Sequence, residues 1–340
     1  MVRVEKARST MVEPRVSVAI AVHNEEAVLP ELVRRLAAVL DGMGGGPHEI
    51  VLVDDGSTDR TFDLVISACA SDPRVVGVRL SRNFGHQAAL TAALEAATGD
   101  VVVVMDGDLQ DRPEEIPRFV AEYEKGYDVV YAQRVNRKES LPYRVAYFGF
   151  YRLMRKLSDV DLPVDSGDFA LLSRRTVDQV NLLPERHRYI RGLRSWVGFA
   201  QTGIPVERDP RAGGDPSYTL RKLFRLAFDG VFAFSIAPLR AAWLFGACVS
   251  GVASLYALYA VVQRLFLGTS PQGFTALIVA ITFFAGVQLL FLGLIGEYLG
   301  RVYDEAKGRP HFVVTDVVGR QRLASRPEPA PLEREPTSAE

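Results

Sequence analysis

Between positions 101 and 105 the chain reads Val-Val-Val-Val-Met and then turns at once to Asp106-Gly107-Asp108-Leu109-Gln110-Asp111. Five apolar residues with no polar interruption describe a strand covered on both faces, as in a parallel sheet flanked by helices. In open sheets of that kind, ligands bind in the crevice beyond the carboxyl ends of the strands. Two carboxylates one residue apart repel each other unless a cation or basic groups compensate. A hard divalent ion, taking carboxylate oxygens and sharing substrate phosphates, meets that need. The glycine between them is expected to let a ligand come close.

The residues before this strand alternate in type. Residues 15–21 form a predicted strand that ends in Val22-His23-Asn24-Glu25-Glu26, and 27–40 carry Leu29, Leu32, Val33, Leu36 and Leu40 at helical spacing. After a turn at 42–47, a second strand at 49–53 runs into Asp54-Asp55-Gly56-Ser57-Thr58-Asp59. A helix at 60–70, a strand at 75–80 and an alanine-rich helix at 87–98 complete the series. Strands alternating with helices of this length build βαβ units with right-handed crossovers, so the fold class is α/β with a mostly parallel, Rossmann-like sheet. Three strand ends bring polar groups to one edge, as a nucleotide site requires. Neither Gly-x-Gly-x-x-Gly nor the P-loop pattern occurs, which argues against dinucleotide oxidoreductases and P-loop NTPases. Asp55 and Asp59 read as turn and cap groups.

Residues 241–262 and 274–296 are free of charge, 22 and 23 residues respectively. At ~1.5 Å per residue each run spans a hydrocarbon core of ~30 Å, so two transmembrane helices are expected. Arg221, Lys222, Arg225 and Arg240 precede the first run; Arg301, Lys307, Arg309, Arg320 and Arg322 follow the second; only Arg264 lies between. The positive-inside bias then places the large α/β domain and both termini in the cytoplasm, with a multi-pass chain in the cell membrane. Residues 220–231 alternate apolar and basic side chains at helical spacing, and 143–157 do the same, as helices lying in a membrane surface would. The 340 residues divide into a tail (1–14), an α/β domain (15–217), an amphipathic juxtamembrane helix (218–238), two membrane helices (239–300), a cytoplasmic segment (301–325) and a proline- and glutamate-rich disordered tail (326–340). A net charge of -1 argues against nucleic acid as a partner. Cys69 and Cys248 offer no disulfide framework, and the five histidines show no metal-ligand spacing. Small residues Gly246, Gly251, Gly286 and Gly293 suit association of helices, leaving homo-oligomers open.

Six motifs in order complete the pattern: Val-His-Asn-Glu-Glu, Val-Asp-Asp-Gly-Ser-Thr-Asp, Ser-Arg-Asn-Phe-Gly-His-Gln, Met-Asp-Gly-Asp-Leu-Gln-Asp, Val164-Asp165-Ser166-Gly167-Asp168-Phe169 and Glu185-Arg186-His187-Arg188-Tyr189-Ile190-Arg191. With Gly296-Glu297-Tyr298-Leu299-Gly300-Arg301 after the apolar runs, the chain resembles the polyprenyl-phosphate glycosyltransferases, among them dolichyl-phosphate mannose synthases and bactoprenol glucosyltransferases, inverting enzymes of the GT-A fold. The resemblance implies that Ala21, His23, Glu25 and Asp54 receive the nucleoside of a nucleotide-sugar. It implies that Asp106, Gly107 and Asp108 hold the sugar-diphosphate, and that Asp106, Asp108 and Gln110 hold Mg²⁺ or Mn²⁺. Arg134 and Arg211 would contact phosphates, and Asp168, or less so Asp165, would be the catalytic carboxylate. Where the family often has Pro and Tyr this chain has Ala21 and His23, and where many members have Ser-Lys-Tyr it has Pro216-Ser217-Tyr218.

The implied reaction moves a sugar, UDP-glucose being the first donor to consider, onto polyprenyl phosphate. A phosphate monoester has a second pKa near ~6, so the acceptor arrives largely ionised at pH 7 and needs little general-base help. Asp168 is then expected to orient arginines as much as to accept a proton. Arg188, Arg191 and Arg194 recur every third residue, which predicts neighbouring turns of one helix, and Arg188 and Arg191 are expected to meet the acceptor phosphate. A processive polysaccharide synthase is the competing enzyme, but its Gln-x-x-Arg-Trp signature is not met by Leu193-Arg194-Ser195-Trp196. A non-catalytic nucleotide-sugar-binding membrane protein would carry a degraded Asp-x-Asp, and here the pair is intact.

Overall fold

The computed structural model describes residues 13–134, 166–186, 188–207, 237–267 and 273–319. The expectations for Asp165, Arg211, 143–157, 218–236 and the two chain ends lie outside these residues. Strands β1 (Val16–Val22), β2 (Glu49–Asp54), β3 (Val75–Leu80) and β4 (Val101–Asp106) alternate with helices α1 (Leu29–Asp41), α2 (Thr61–Ser71) and α3 (His86–Ala96). A short 3-10 turn (Pro113–Glu115) leads into α4 (Ile116–Glu124). Then come β5 (Val129–Arg134), β6 (Ser166–Ser173), α5 (Arg174–Leu182), α6 (Ile190–Trp196) and β7 (Gln201–Val206). Two long helices, α7 (Ala237–Leu267) and α8 (Phe274–Ala306), precede a last strand, β8 (Val314–Val318).

All eight strands share one sheet in the order β7-β5-β6-β4-β1-β2-β3-β8. The pairs β1–β2, β1–β4, β2–β3 and β5–β7 are parallel, while β6 and β8 run antiparallel to their neighbours. The valines of β4 are fully buried because helices cover both faces of the sheet. On one face the outward side of β1 (Val18, Ile20) meets α1, α2 and α4 through Leu32, Leu36, Val65 and Phe119. On the other, Ala19, Val51 and Val102 meet α3, α5 and α6 through Leu90, Leu94, Val177 and Leu193. Leu29, Leu32, Leu36 and Leu40 form the single buried stripe of α1, as their spacing predicted. Truncating one such leucine to alanine costs roughly 2–5 kcal/mol.

The carboxyl-terminal segment expected to lie beyond the α/β domain re-enters it. Strand β8 pairs with β3 (Gly77↔Val318, Arg79↔Asp316), and Phe312 packs against the core. The sheet is therefore drawn from both sides of the long helices. Those helices are 31 and 33 residues long. Their Leu255, Leu265, Phe266, Leu289 and Leu290 side chains are largely exposed, the opposite of the sheet's leucines. One stretch among the described residues, Phe283–Ala306, is long and apolar enough to cross a membrane by length and composition; in α7 the apolar stretch is the shorter Ala242–Tyr256. Both cysteines are free, Cys69 buried and Cys248 exposed.

Candidate active site

The parallel register brings the ends of β1, β2 and β4 to one level: Val22 lies opposite Asp54, and Ala21 opposite Asp106. Strand β6 runs back along β4 with Val104 opposite Ala170, so the same register continued by two residues sets Asp106 across from Asp168. Side by side, these strands bring carboxylates 62 residues apart in the chain to one edge. Ala21 itself is buried within β1.

Gly107 is small for a packing reason as well. A Cβ there would stand 2.9 Å from Val22 Cγ1 and 3.1 Å from the Ala21 carbonyl, so glycine lets the tip of β4 cross close over the end of β1. Beyond it the Asp108 carboxylate accepts the Gln110 N–H at 3.1 Å. That turn holds Leu109 at φ +58°, a left-handed conformation that costs a branched residue ~1–2 kcal/mol. Asn24 takes the same conformation, at φ +56°, and its side-chain oxygen accepts the Thr58 N–H at 2.9 Å, tying the β1 loop to the β2 loop. His23 is exposed, with Nε2 at 3.2 Å from Asn83 Nδ2. The Glu25 N–H donates to Thr61 Oγ1 at 2.8 Å.

Asp54 is completely buried. Its Oδ1 accepts the Ser57 N–H at 3.2 Å, while Oδ2 has no hydrogen-bond partner among the described residues and lies 3.7 Å from Arg79 Nε. A buried, unsatisfied carboxylate oxygen at a strand end is costly unless a ligand donor reaches it. Asp59 is the cap expected of it, accepting the Thr61 N–H at 3.0 Å and the Glu26 N–H at 3.3 Å.

Asp168 is 8% exposed and held by a two-pronged fork, Arg191 Nε to Oδ1 at 2.7 Å and Nη2 to Oδ2 at 2.8 Å. Burial works against its charge, yet the Arg191 bonds, reinforced by His86 and Arg194, draw its pKa down to about 2. Arg194 is buried outright; burial lowers its pKa to about 10 despite Asp168, and its Nη2 donates to the Gly167 carbonyl at 3.0 Å. The fork fixes Asp168 as a permanent anion at neutral pH.

Arg188 is placed differently from the expectation. It precedes α6, because Tyr189 at the N-cap is extended (φ -131°, ψ 93°), so the three arginines do not share a helix. Arg188 is buried, and its guanidinium donates to the carbonyls of Leu183 and Val180 at 2.7 and 2.6 Å. Those bonds close the end of α5. Arg134 ends β5.

His86 is the residue that spacing did not disclose. At the first turn of α3 its Nε2 lies 3.3 Å from Asp106 Oδ1 and 3.9 Å from Asp168 Oδ2. Burial opposes its protonation, but the hydrogen bond to Asp106 and the two negative charges outweigh it, and its pKa is raised. One ligand atom from each of His86, Asp106 and Asp168 falls within 4.8 Å of the others, a grouping able to hold an ion. The histidine stands 20 positions before one partner and 82 before the other; only the sheet brings them together. The sole sequence signal was its position in the Asn83-Phe84-Gly85-His86 motif.

The acidic edge lies on a GT-A-like α/β sheet, and similarity in sequence makes the chain a glycosyltransferase. The glycosyl transferase family 2 model matches residues 17–180, and the chain belongs to that family. The uncharacterised glycosyltransferase YkcC of Bacillus subtilis strain 168 is 42% identical over 304 residues, 89% of this chain and 94% of its own. The uncharacterised glycosyltransferase sll0501 of Synechocystis is 40% identical over 90% of this chain and 96% of its own. A prophage bactoprenol glucosyl transferase homolog of Escherichia coli strain K12 is 35% identical over 89% of this chain and 99% of its own.

Proposed function

We propose that this chain transfers a sugar from a nucleotide-sugar to the phosphate of a membrane polyprenol, inverting the anomeric carbon. The observation that carries the reading is the Arg191 fork on Asp168. A carboxylate kept ionised down to about pH 2 is a poor proton acceptor, which suits an acceptor that arrives already ionised rather than a sugar hydroxyl. The bactoprenol glucosyl transferase relatives, matched over nearly their whole length, support the polyprenyl acceptor and make UDP-glucose the first donor to test.

Asp54, through its unsatisfied oxygen, together with His23, Glu25 and the Ala21 backbone, receives the nucleoside. Asp106, Gly107 and Asp108 receive the diphosphate. The oxygen donors of Asp106, Asp108 and Gln110 are hard ligands that fit Mg²⁺ or Mn²⁺. Bound there, the ion supplies Lewis-acid stabilisation of the leaving diphosphate. Asp168 orients Arg191 towards the acceptor phosphate, where the planar guanidinium makes directional contacts a lysine would not. Arg134 and Arg211 serve as further phosphate contacts. Arg188, occupied by backbone carbonyls, supports the loop that carries Arg191.

Both long helices span the bilayer as a hairpin in this reading. Residues 307–313 join α8 to β8, and seven extended residues reach at most about 25 Å, less than a hydrocarbon core of ~30 Å. The end of α8 must then lie on the side of the α/β domain, and the short α7–α8 connection returns the start of α7 to that side. This supports a membrane-bound enzyme whose domain and outer helix ends share one side of the bilayer, and the basic residues flanking the apolar runs make that side the cytoplasm in this reading.

The test is transfer by the purified full chain in lipid nanodiscs, with Mn²⁺, a panel of nucleotide-sugars and undecaprenyl phosphate. Release of nucleotide that depends on the lipid, with a lipid-linked sugar as product, is expected. Release that is indifferent to the lipid overturns the acceptor assignment.

A further inference from the structure

Among the buried acids that the mechanism leaves unused, Asp55 lies at the carboxyl edge of the sheet. Asp55 follows β2 and is 3% exposed, with both carboxylate oxygens engaged by backbone N–H groups. Its backbone N–H donates to the Val22 carbonyl at 2.9 Å. Its two carboxylate oxygens accept consecutive N–H groups, Phe84 at 2.7 Å and Gly85 at 2.9 Å. Gly85 is the N-cap of α3, at φ +100°, and no side chain within the helix caps its start. Asp55 therefore grips, from another strand, the two residues that lead into the helix, with its charge near the positive end of the helix.

The two residues that follow point in two directions. His86 reaches Asp106 and Asp168, as described. The Gln87 side-chain oxygen accepts the N–H of Ile190 at 2.9 Å, and Ile190 opens α6, the helix that bears Arg191. One helix start thus touches the donor carboxylate, the acceptor-side carboxylate and the base of the arginine clamp. We infer that Asp55 is a positioning residue: by gripping the start of α3 it holds His86 and Gln87 where they keep the Asp106 half of the site in register with the Asp168–Arg191 half. This rests on the donor and acceptor assignment proposed above.

The geometry makes the conservative change informative. An asparagine at 55 keeps the volume but offers one acceptor and one N–H₂ donor where two N–H groups must be met. Asp55→Asn in the full chain is expected to lower kcat at least tenfold, with the KM for the nucleotide-sugar within about threefold of wild type, since the nucleoside contacts are untouched. A merely structural role would lower melting temperature and active fraction but spare kcat per folded molecule. The decisive measurement is the double-mutant cycle with His86→Ala: once the imidazole is gone, Asp55→Asn should lower kcat by several-fold less than it does in the wild type, the remaining loss acting through Gln87. Independent, multiplying losses overturn the inference, as does an Asp55→Asn enzyme with unchanged kcat. Should Asp55→Asn not fold, Gln87→Ala reads the other arm and is expected to lower kcat without moving donor KM; wild-type kcat in that variant overturns the inference. The readout is nucleotide release, so lipid-independent release by wild type would sink the acceptor reading while the cycle still decides the role of Asp55.

Discussion

The two edges of the sheet carry acids of the same kind and use them differently. At the amino edge, Glu49 is buried and accepts from Ser17 Oγ at 2.5 Å, Thr98 Oγ1 at 3.0 Å and the Thr98 N–H. Asp128 there is bound by Ser173 Oγ at 3.0 Å and forked by Arg175. Each tie joins neighbouring strands or helices and stays within the fold. At the carboxyl edge, Asp54 keeps an unsatisfied oxygen, and Asp106 and Asp168 face one histidine. Acid content does not mark the site. What marks it is that carboxylates there converge on one another instead of being separated and satisfied one by one, an arrangement that costs stability and is retained where chemistry needs it.

The sharpest break of that contrast is Asp108→Asn: turnover should fall about a thousandfold, ~4 kcal/mol in transition-state stabilisation, with melting temperature unchanged. Full activity in that variant would remove the metal and diphosphate assignment. Arg191→Ala should strip a buried carboxylate of its partner and cost roughly 3 kcal/mol of stability along with activity, measured by denaturant unfolding. The pH dependence sharpens this. Asp168 has a folded pKa of about 2, below an unfolded value near ~3.9. Its ionised form stabilises the fold fully above pH ~4, and that contribution, on the order of 2–3 kcal/mol, is lost as pH falls towards 2. Arg191→Ala should therefore flatten the acid limb between those pH values. Glu49→Gln, at the other edge, should cost about 1–3 kcal/mol of stability while kcat per folded molecule stays at wild type. A kcat loss there would erase the distinction between the edges. The smallest effect is expected from Glu305→Gln, which weakens one 2.7 Å bond from the Arg186 N–H to the end of α8: under 1 kcal/mol in melting, with a modest rise in KM for the lipid.

How far the sequence discloses this follows from what each feature depends on. Strands β1 to β4 and their helices are legible within one or two residues, because a strand buried on both faces is a continuous apolar run and α1 repeats leucine on one face. The later strands are not. Strand β6 reads Ser-Gly-Asp-Phe-Ala-Leu-Leu-Ser, polar at its start because it enters from the site edge. Strand β8 is five residues of mostly exposed valine and threonine at a sheet edge, beyond two apolar helices, and its pairing with β3 is wholly tertiary. The arginine spacing misled because a period of three does not distinguish a helix from an extended segment entering one. The acids were legible one by one. Their convergence with His86 was not, since it follows from a register between distant strands.

The two outermost strands have a consequence of their own. β7 precedes the two long helices and β8 follows them, and among the described strands they lie at opposite margins of the sheet, ~34 Å apart at ~4.8 Å per strand. In the proposed membrane reading the seven residues 307–313 set how far the acidic rim stands from the end of α8, and lengthening them would change that distance without altering the rim itself.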